Sequence, residues 1–68
     1  MKVVTGKQFA KALIKAGWQL LRVNGSHHIY GKDGRRERIS VPIHGNDTLK
    51  PGLLAHFLKQ TGLMESDI

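Results

Sequence analysis

The dipeptide Asn24-Gly25 is the feature that most constrains how this chain can fold. Both residue types accept the positive φ that a tight reversal needs, and Asn-Gly between apolar-rich runs is a strong hairpin signal. Residues 18–23 before the turn and residues 27–31 after it are β-prone. The sequence therefore predicts an antiparallel hairpin that delivers two adjacent histidines, His27 and His28, to the start of its second strand.

A third strand is predicted over residues 36–43, after a second turn at Asp33-Gly34. Its residues alternate between an apolar set and a polar set, which are Ile39, Val41 and Ile43 against Arg38, Ser40 and Pro42. This alternation is typical of a strand with one buried face and one open face. Because proline lacks a backbone donor, Pro42 indicates an edge strand or the end of the strand.

Two helices are predicted to flank the strands. Thr5 and Gln8 have the spacing of a capping box, and an apolar stripe follows at helical spacing up to Ala16, with Gly17 ending the helix. The second helix is predicted over residues 50–61, because Pro51 is tolerated in a first helical turn and Gly62 ends the segment. Its buried stripe is predicted to be Leu54, Phe57, Leu58 and Thr61.

The predicted order is helix, three antiparallel strands, helix, which is an α+β fold. Each helix has a single apolar stripe, so both are expected to pack on one face of the sheet and to leave the other face open for function. With 68 residues, the chain is expected to form one domain over residues 1–68. Residues 64–68 show no decisive pattern and are expected to fray.

The charge of the chain indicates a polyanionic partner. Eleven Lys and Arg against five Asp and Glu give a formal net charge of +6. Nucleic acid is favoured over a membrane surface, because no predicted helix combines a large apolar face with flanking aromatics.

The absence of cysteine excludes disulfides and cysteine-based zinc sites. No signal peptide and no apolar run near the ~20 residues of a membrane span is present, so we expect a cytoplasmic protein.

The histidines are the candidates for chemistry, since an imidazole exchanges a proton near neutral pH. If Ile29 points toward the helices, strand alternation sends His28 and Tyr30 to the open face and gives His27 the opposite direction. His27, however, directly follows the turn, where a side chain can emerge at the rim. Both alternatives stay open on this evidence.

Cleavage of RNA is the chemistry that suits imidazoles on a basic surface. The ribose 2′-hydroxyl is the nucleophile, so the protein needs to move protons and to stabilise charge on the phosphate. A metal site is a poor fit, because adjacent strand histidines face opposite ways and the acidic residues are scattered. The candidates for RNA contact are the cations Arg22, Lys32, Arg38 and Lys50 together with the ring of Tyr30.

Five segments of this sequence resemble the HicA toxin family of bacterial toxin–antitoxin pairs. They are Ala16-Gly17-Trp18, Gly25-Ser26-His27-His28-Ile29-Tyr30, Val41-Pro42-Ile43-His44-Gly45, Leu49-Lys50-Pro51-Gly52 and Gln60-Thr61-Gly62-Leu63. The resemblance covers nearly the whole chain in the right order. It implies a double-stranded-RNA-binding-like α-β-β-β-α fold, which agrees with the order predicted from the residues.

The resemblance also implies a function and a site. Members of the family are messenger-RNA interferases that act when free and are silenced by a HicB antitoxin that covers the active site. For this chain we expect no cofactor, a monomer when free and a hetero-oligomer with the antitoxin. The histidine after Gly-Ser is implied to be catalytic, which here is His27, with Gly25, Ser26 and His28 as supporting residues. The second helix begins Lys50-Pro51-Gly52 without the lysine cluster of double-stranded-RNA-binding domains, so single-stranded RNA is the expected substrate.

Two other functions compete with a nuclease. Charge and fold class alone are equally typical of a non-catalytic RNA-binding module. A partner-binding protein that is merely basic is a third alternative. Dependence of RNA cleavage on His27 separates the first hypothesis from both of the others.

Overall fold

The first helix begins where the capping box predicts it. In the computed structural model, which describes residues 2–68, helix α1 spans Gly6–Lys15. Thr5 Oγ1 accepts a hydrogen bond from the Gln8 amide at 3.1 Å, and Gln8 Oε1 accepts one from the Thr5 amide at 2.9 Å. These bonds satisfy backbone donors that a helix start leaves unpaired. Gly17 follows with a φ of 96°, a left-handed conformation that favours glycine and ends the helix.

Three antiparallel strands follow in the spatial order β1-β2-β3. They are β1 at Gln19–Asn24, β2 at His27–Gly31 and β3 at Ile39–Pro42. The register between β1 and β2 shifts between Leu20 and Arg22, which is a β-bulge near the start of β1. Trp18, predicted as the first residue of the strand, instead precedes it and is buried in the core.

Strand β3 is shorter than the predicted span of residues 36–43. The guanidinium of Arg38 donates hydrogen bonds to the backbone oxygens of Arg35, Arg36 and Glu37 at 3.2 to 3.4 Å. The ladder with β2 begins only at Ile39, and these three carbonyls face the Arg38 side chain. The prediction was wrong at this end of the strand, since alternation describes faces but not which backbone groups are paired.

The second helix, α2, spans Pro51–Thr61, with Lys50 at its N-cap position and Gly62 after its end at a φ of 76°. Leu54 and Phe57 are buried, and the Phe57 ring stacks on Phe9 of α1 with 5.3 Å between the centroids. The core forms between the two helices and one face of the sheet, where Tyr30, Ile39 and Val41 join these side chains. The predicted α-β-β-β-α order and α+β class are confirmed.

The last residues form a 3-10 turn at Glu65–Asp67, where sequence patterning had suggested fraying. The Met64 amide donates to Asp67 Oδ2 at 2.7 Å, and Lys2 bonds to Glu65 and Ile68. Local capping therefore supplies the order that periodicity did not predict. Within residues 2–68, the structure contains no helix of the length and apolarity that crossing a membrane requires.

Candidate active site

The turn between β1 and β2 lies one residue later than predicted. Asn24 pairs with His27, so the two-residue loop consists of Gly25 and Ser26. Gly25 has a φ of 63°, and no described residue other than glycine has a positive φ. A glycine at the first loop position is typical of a type II′ turn, whose twist matches that of the flanking strands. The reversal therefore needs the glycine alone, and it still delivers His27 as the first residue of β2.

His27 lies on the open face of the sheet. Directly opposed residues in antiparallel strands share a face, and two such rows cross the sheet at this end. One row is Asn24, His27 and Pro42, and the next is Arg22, Ile29 and Ser40. The helices cover the other face, on which Tyr30, Ile39 and Val41 are buried. The imidazole of His27 is exposed and lies outside the core.

A hydrogen bond fixes one nitrogen of that imidazole. His27 Nδ1 lies 3.2 Å from Ser40 Oγ, on the neighbouring strand and the same face. No protein group within residues 2–68 bonds to the other ring nitrogen, Nε2. Such an arrangement sets the ring orientation through one nitrogen and leaves the second one open to a bound molecule. Sequence analysis did not single out Ser40, although its place on the polar side of β3 was a signal for it.

A second imidazole lies beside the turn. His44 Nε2 is 3.2 Å from Ser26 Oγ, and the Ile43 amide donates to the Ser26 backbone oxygen at 2.8 Å. The segment that follows β3 is thus attached to the loop that precedes His27. The sequence leaves open whether His44 belongs to the site, because its 18-residue separation from Ser26 carries no periodic signal.

The strand alternation runs opposite to the one assumed from the sequence. Ile29 lies on the open face, whereas His28 pairs with Val41 and Tyr30 pairs with Ile39 on the covered face. Tyr30 is only 5% exposed, and burial raises the pKa of its phenol. The predicted exposure of Tyr30 as a stacking surface for RNA is therefore wrong. His28 is half-buried, and the structure leaves His27 as the histidine of the open face.

The four predicted cations divide between the two ends of the sheet. Arg22 is the diagonal neighbour of His27, a separation that long side chains can bridge. Lys50 lines a cleft together with Pro42 and His44. Arg38 lies against Gly31, which is four residues or about 13 Å from His27 along β2, and Lys32 lies beyond the end of β2, beside Gly17. The structure therefore brings Arg22 and Lys50 toward His27, and it does not bring Lys32 and Arg38 there.

Arg35 is a further cation that sequence analysis did not single out. Its guanidinium carbon lies 5.5 Å from the centroid of the Trp18 ring, and it donates to Glu37 Oε1 at 3.1 Å and to the backbone oxygen of Gln60. The hydrogen bond from Arg35 lowers the pKa of Glu37. These contacts connect the β2–β3 loop to the core and to the end of α2, so this arginine stabilises the fold and lies away from His27.

No group of three histidine or acidic side chains comes together as a metal-binding cluster in the part of the chain that the structure describes. His27 and His44 instead have hydroxyl partners, Ser40 and Ser26. What the arrangement offers chemically is proton transfer at an exposed imidazole beside a cation.

Comparison with protein-family models matches residues 6–63 to the family described as the HicA toxin of bacterial toxin-antitoxin systems. The match covers both helices, all three strands and every residue discussed above for the site. Among curated proteins, no match to this sequence was found.

Proposed function

Because this chain belongs to the HicA toxin family of bacterial toxin–antitoxin systems, we propose that it is a metal-independent endoribonuclease that cleaves messenger RNA in the cytoplasm. The observation that carries the proposal is the exposed imidazole of His27, which is held through Nδ1 by Ser40 and has Nε2 unoccupied by protein groups of residues 2–68. This geometry supports a general acid or base at a surface to which RNA has access.

The proposed reaction is an internal transfer within the RNA. The ribose 2′-oxygen attacks the adjacent phosphorus, the bond from phosphorus to the 5′-oxygen breaks, and the products carry a 2′,3′-cyclic phosphate and a 5′-hydroxyl. The 2′-hydroxyl loses one proton and the leaving oxygen gains one, so the step is balanced without a co-reactant. His27 Nε2 is the proposed site of proton exchange with one of these oxygens.

Cations on the same side of the molecule support phosphate binding. Arg22 is the diagonal neighbour of His27, and a guanidinium can bind two phosphate oxygens at once while charge develops on them. Lys50 is exposed at the start of α2. Lys32 and Arg38, at the far end of β2, are proposed to contact phosphates farther along the bound RNA chain. An open sheet face suits single-stranded RNA.

Silencing by an antitoxin is the second part of the proposal. We propose that a HicB-type protein covers the open face around His27, so that the toxin is active when free and inactive in a hetero-oligomer. The net charge of +6 favours a partner with an acidic surface, because complementary charge speeds association and aligns the two proteins.

The nuclease proposal is tested with single-stranded RNA in the presence of EDTA. Wild-type protein is expected to cut the RNA, and His27→Ala is expected to lower the rate about 10²- to 10⁴-fold, the usual range for a lost general acid or base. His56→Ala is the matched control, because His56 is an exposed imidazole on α2. The circular-dichroism spectra of all three proteins should agree.

Two results would contradict the proposal in different ways. If His27→Ala cuts RNA as fast as His56→Ala, then His27 has no part in the reaction. If the wild type binds RNA in a salt-dependent way but leaves it intact, the chain is a non-catalytic RNA-binding module. Growth arrest on expression, lost in His27→Ala and relieved by the antitoxin, tests the toxin role in cells.

A further inference from the structure

A cleft of about 390 Å³ lies between the end of β3, the segment after it and the first turn of α2. Its lining is partly apolar and partly polar, comprising Pro42, Leu49 and Leu53 together with His44, Asp47, Thr48 and Lys50. Pockets that bind small organic groups are about 300 to 1,000 Å³ and combine an apolar lining with a few polar groups. The cleft therefore has the size and composition of a binding site for one such group.

The cleft adjoins His27 through two independent connections. Pro42, which lines the cleft, is the direct cross-strand partner of His27, and paired Cα atoms in antiparallel strands lie about 4.5 to 5.5 Å apart. His44, which also lines it, bonds to Ser26, the residue that precedes His27. The cleft therefore begins at the residue directly opposite His27.

The walls of the cleft are fixed by backbone bonds to the start of the chain. The Leu49 amide donates to the Val4 oxygen at 2.7 Å, and Thr48 forms a bridge with Thr5. The Asp47 amide donates to the His44 oxygen at 2.9 Å. The cleft is thus formed in the free protein, which lowers the ordering cost of binding.

The chemistry of the lining suits a nucleobase with its phosphate. The apolar side chains of Leu49, Leu53 and Pro42 can cover the face of a flat ring, and Lys50 supplies a cation for a phosphate oxygen. The carboxylate of Asp47 only accepts hydrogen bonds, and it has no ion-pair partner among residues 2–68. Guanine presents two neighbouring N–H donors on one edge, which match the two oxygens of a carboxylate.

We propose that this cleft binds the base of a nucleotide adjacent to the scissile phosphate and that Asp47 gives it a preference for guanine. This inference rests on the proposed nuclease function for its biological meaning, although binding of a mononucleotide to the cleft does not require cleavage.

The test is an NMR titration of the wild-type chain with guanosine 3′-monophosphate, uridine 3′-monophosphate and inorganic phosphate. The guanosine nucleotide is expected to shift the methyl signals of Leu49 and Leu53 in a saturable way and to bind more tightly than the uridine nucleotide. Inorganic phosphate is expected to leave these methyl groups unmoved. The methyl groups of Leu20, an exposed leucine on the edge strand β1, serve as the internal control.

Two variants make the test specific. Leu53→Ala removes part of the apolar lining and is expected to weaken binding of the guanosine nucleotide about tenfold, whereas Leu20→Ala leaves it unchanged. Asp47→Asn alters an exposed side chain and is expected to reduce the affinity for guanosine monophosphate to that for uridine monophosphate.

The proposal is overturned if no nucleotide moves the methyl groups of Leu49 and Leu53, or if Leu53→Ala binds as tightly as Leu20→Ala. Equal affinities of guanosine and uridine monophosphates in the wild type would overturn the role of Asp47. Nucleotide binding in the cleft of a protein that cuts no RNA would uphold this site and reject the nuclease. If RNA cleavage depends on His27 but no nucleotide moves the methyl signals of the cleft, the nuclease is upheld and this site is rejected.

Discussion

His27 and Ser40 lie diagonally across β2 and β3 on the same face of the sheet, with 3.2 Å between the imidazole Nδ1 and the serine Oγ. This hydrogen bond restricts rotation of an otherwise exposed ring, and Nε2 has no hydrogen-bond partner among residues 2–68. Ser40 is therefore a positioning residue in the proposed reaction, since it acts on the RNA only through His27.

Replacing Ser40 is expected to reduce catalysis without unfolding the protein. Ser40→Ala removes the hydroxyl that orients His27, and we expect kcat to fall about tenfold, equal to roughly 1.4 kcal/mol of transition-state stabilisation, with KM nearly unchanged. Ser40→Thr keeps the hydroxyl and should restore most of the rate.

Ser66→Ala is the matched control, because this serine lies in the C-terminal 3-10 turn. Identical kcat and KM values for Ser40→Ala and Ser66→Ala would show that the hydrogen bond to His27 has no functional role.

Gly6, the first residue of α1, lies against β3, the strand that pairs with His27. A Cβ at position 6 would lie only 2.3 Å from the Pro42 backbone oxygen, so Gly6→Ala forces the helix and β3 apart. We expect a loss of about 1–3 kcal/mol in the free energy of unfolding, measured by urea denaturation, as for other overpacked sites. Cleavage should weaken as well, because Pro42 is the cross-strand neighbour of His27.

Gly52 in the first turn of α2 provides the opposite case. A Cβ there would meet nothing within 4 Å, so Gly52→Ala should stabilise the protein by about 0.5–1 kcal/mol through helix propensity alone. Equal effects of the two alanine substitutions on the urea midpoint would contradict the predicted clash at Pro42.

Arg35 is expected to matter for stability more than any neighbouring arginine. Arg35→Ala removes the contact with the Trp18 ring and the hydrogen bond to the Gln60 oxygen in the last turn of α2. The expected cost is about 1–2 kcal/mol from the lost cation–π and hydrogen-bond contributions. Arg36→Ala, which removes the same charge from an exposed side chain, should cost far less. The measurement is thermal unfolding of both variants at one ionic strength. Equal melting temperatures would contradict the predicted role of Arg35.

Tyr30 should make the folded state sensitive to alkali. Burial raises the pKa of the phenol in the folded protein above its usual value of about 10. The folded state then holds the proton more tightly than the unfolded state, so this contribution is fully present below pH ~10 and is lost as the pH rises toward the folded pKa. Tyr30→Phe cannot ionise and should not show that loss.

The measurement is the difference in unfolding free energy between wild type and Tyr30→Phe across the pH range. This difference should be constant below pH ~9 and should shift in favour of the phenylalanine variant above pH ~10. Comparing the two proteins at each pH cancels the titration of the lysines, which they share. Parallel curves into the alkaline range would mean that the phenol is not desolvated.

Signals that act over a few residues were enough to predict the order of the fold. The capping box of Thr5 and Gln8 and the glycine after α2 depend on neighbours within one helical turn. The alternation of Ile39 and Val41 with Ser40 correctly assigned the faces of β3. Sequence resemblance also singled out His27, although alternation anchored on Ile29 pointed to His28.

Tertiary structure decided which face of β2 is open and which groups meet His27. Tyr30 faces the core together with Ile39, its cross-strand partner on β3. The register of that pairing cannot be read from a single sequence. Ser40 bonds to His27 and His44 bonds to Ser26, across separations of 13 and 18 residues in the chain. Local propensity determines where helices and strands form, because the interactions behind it lie within a few residues of one another. The site depends on pairing between distant segments, which only burial of a shared core selects.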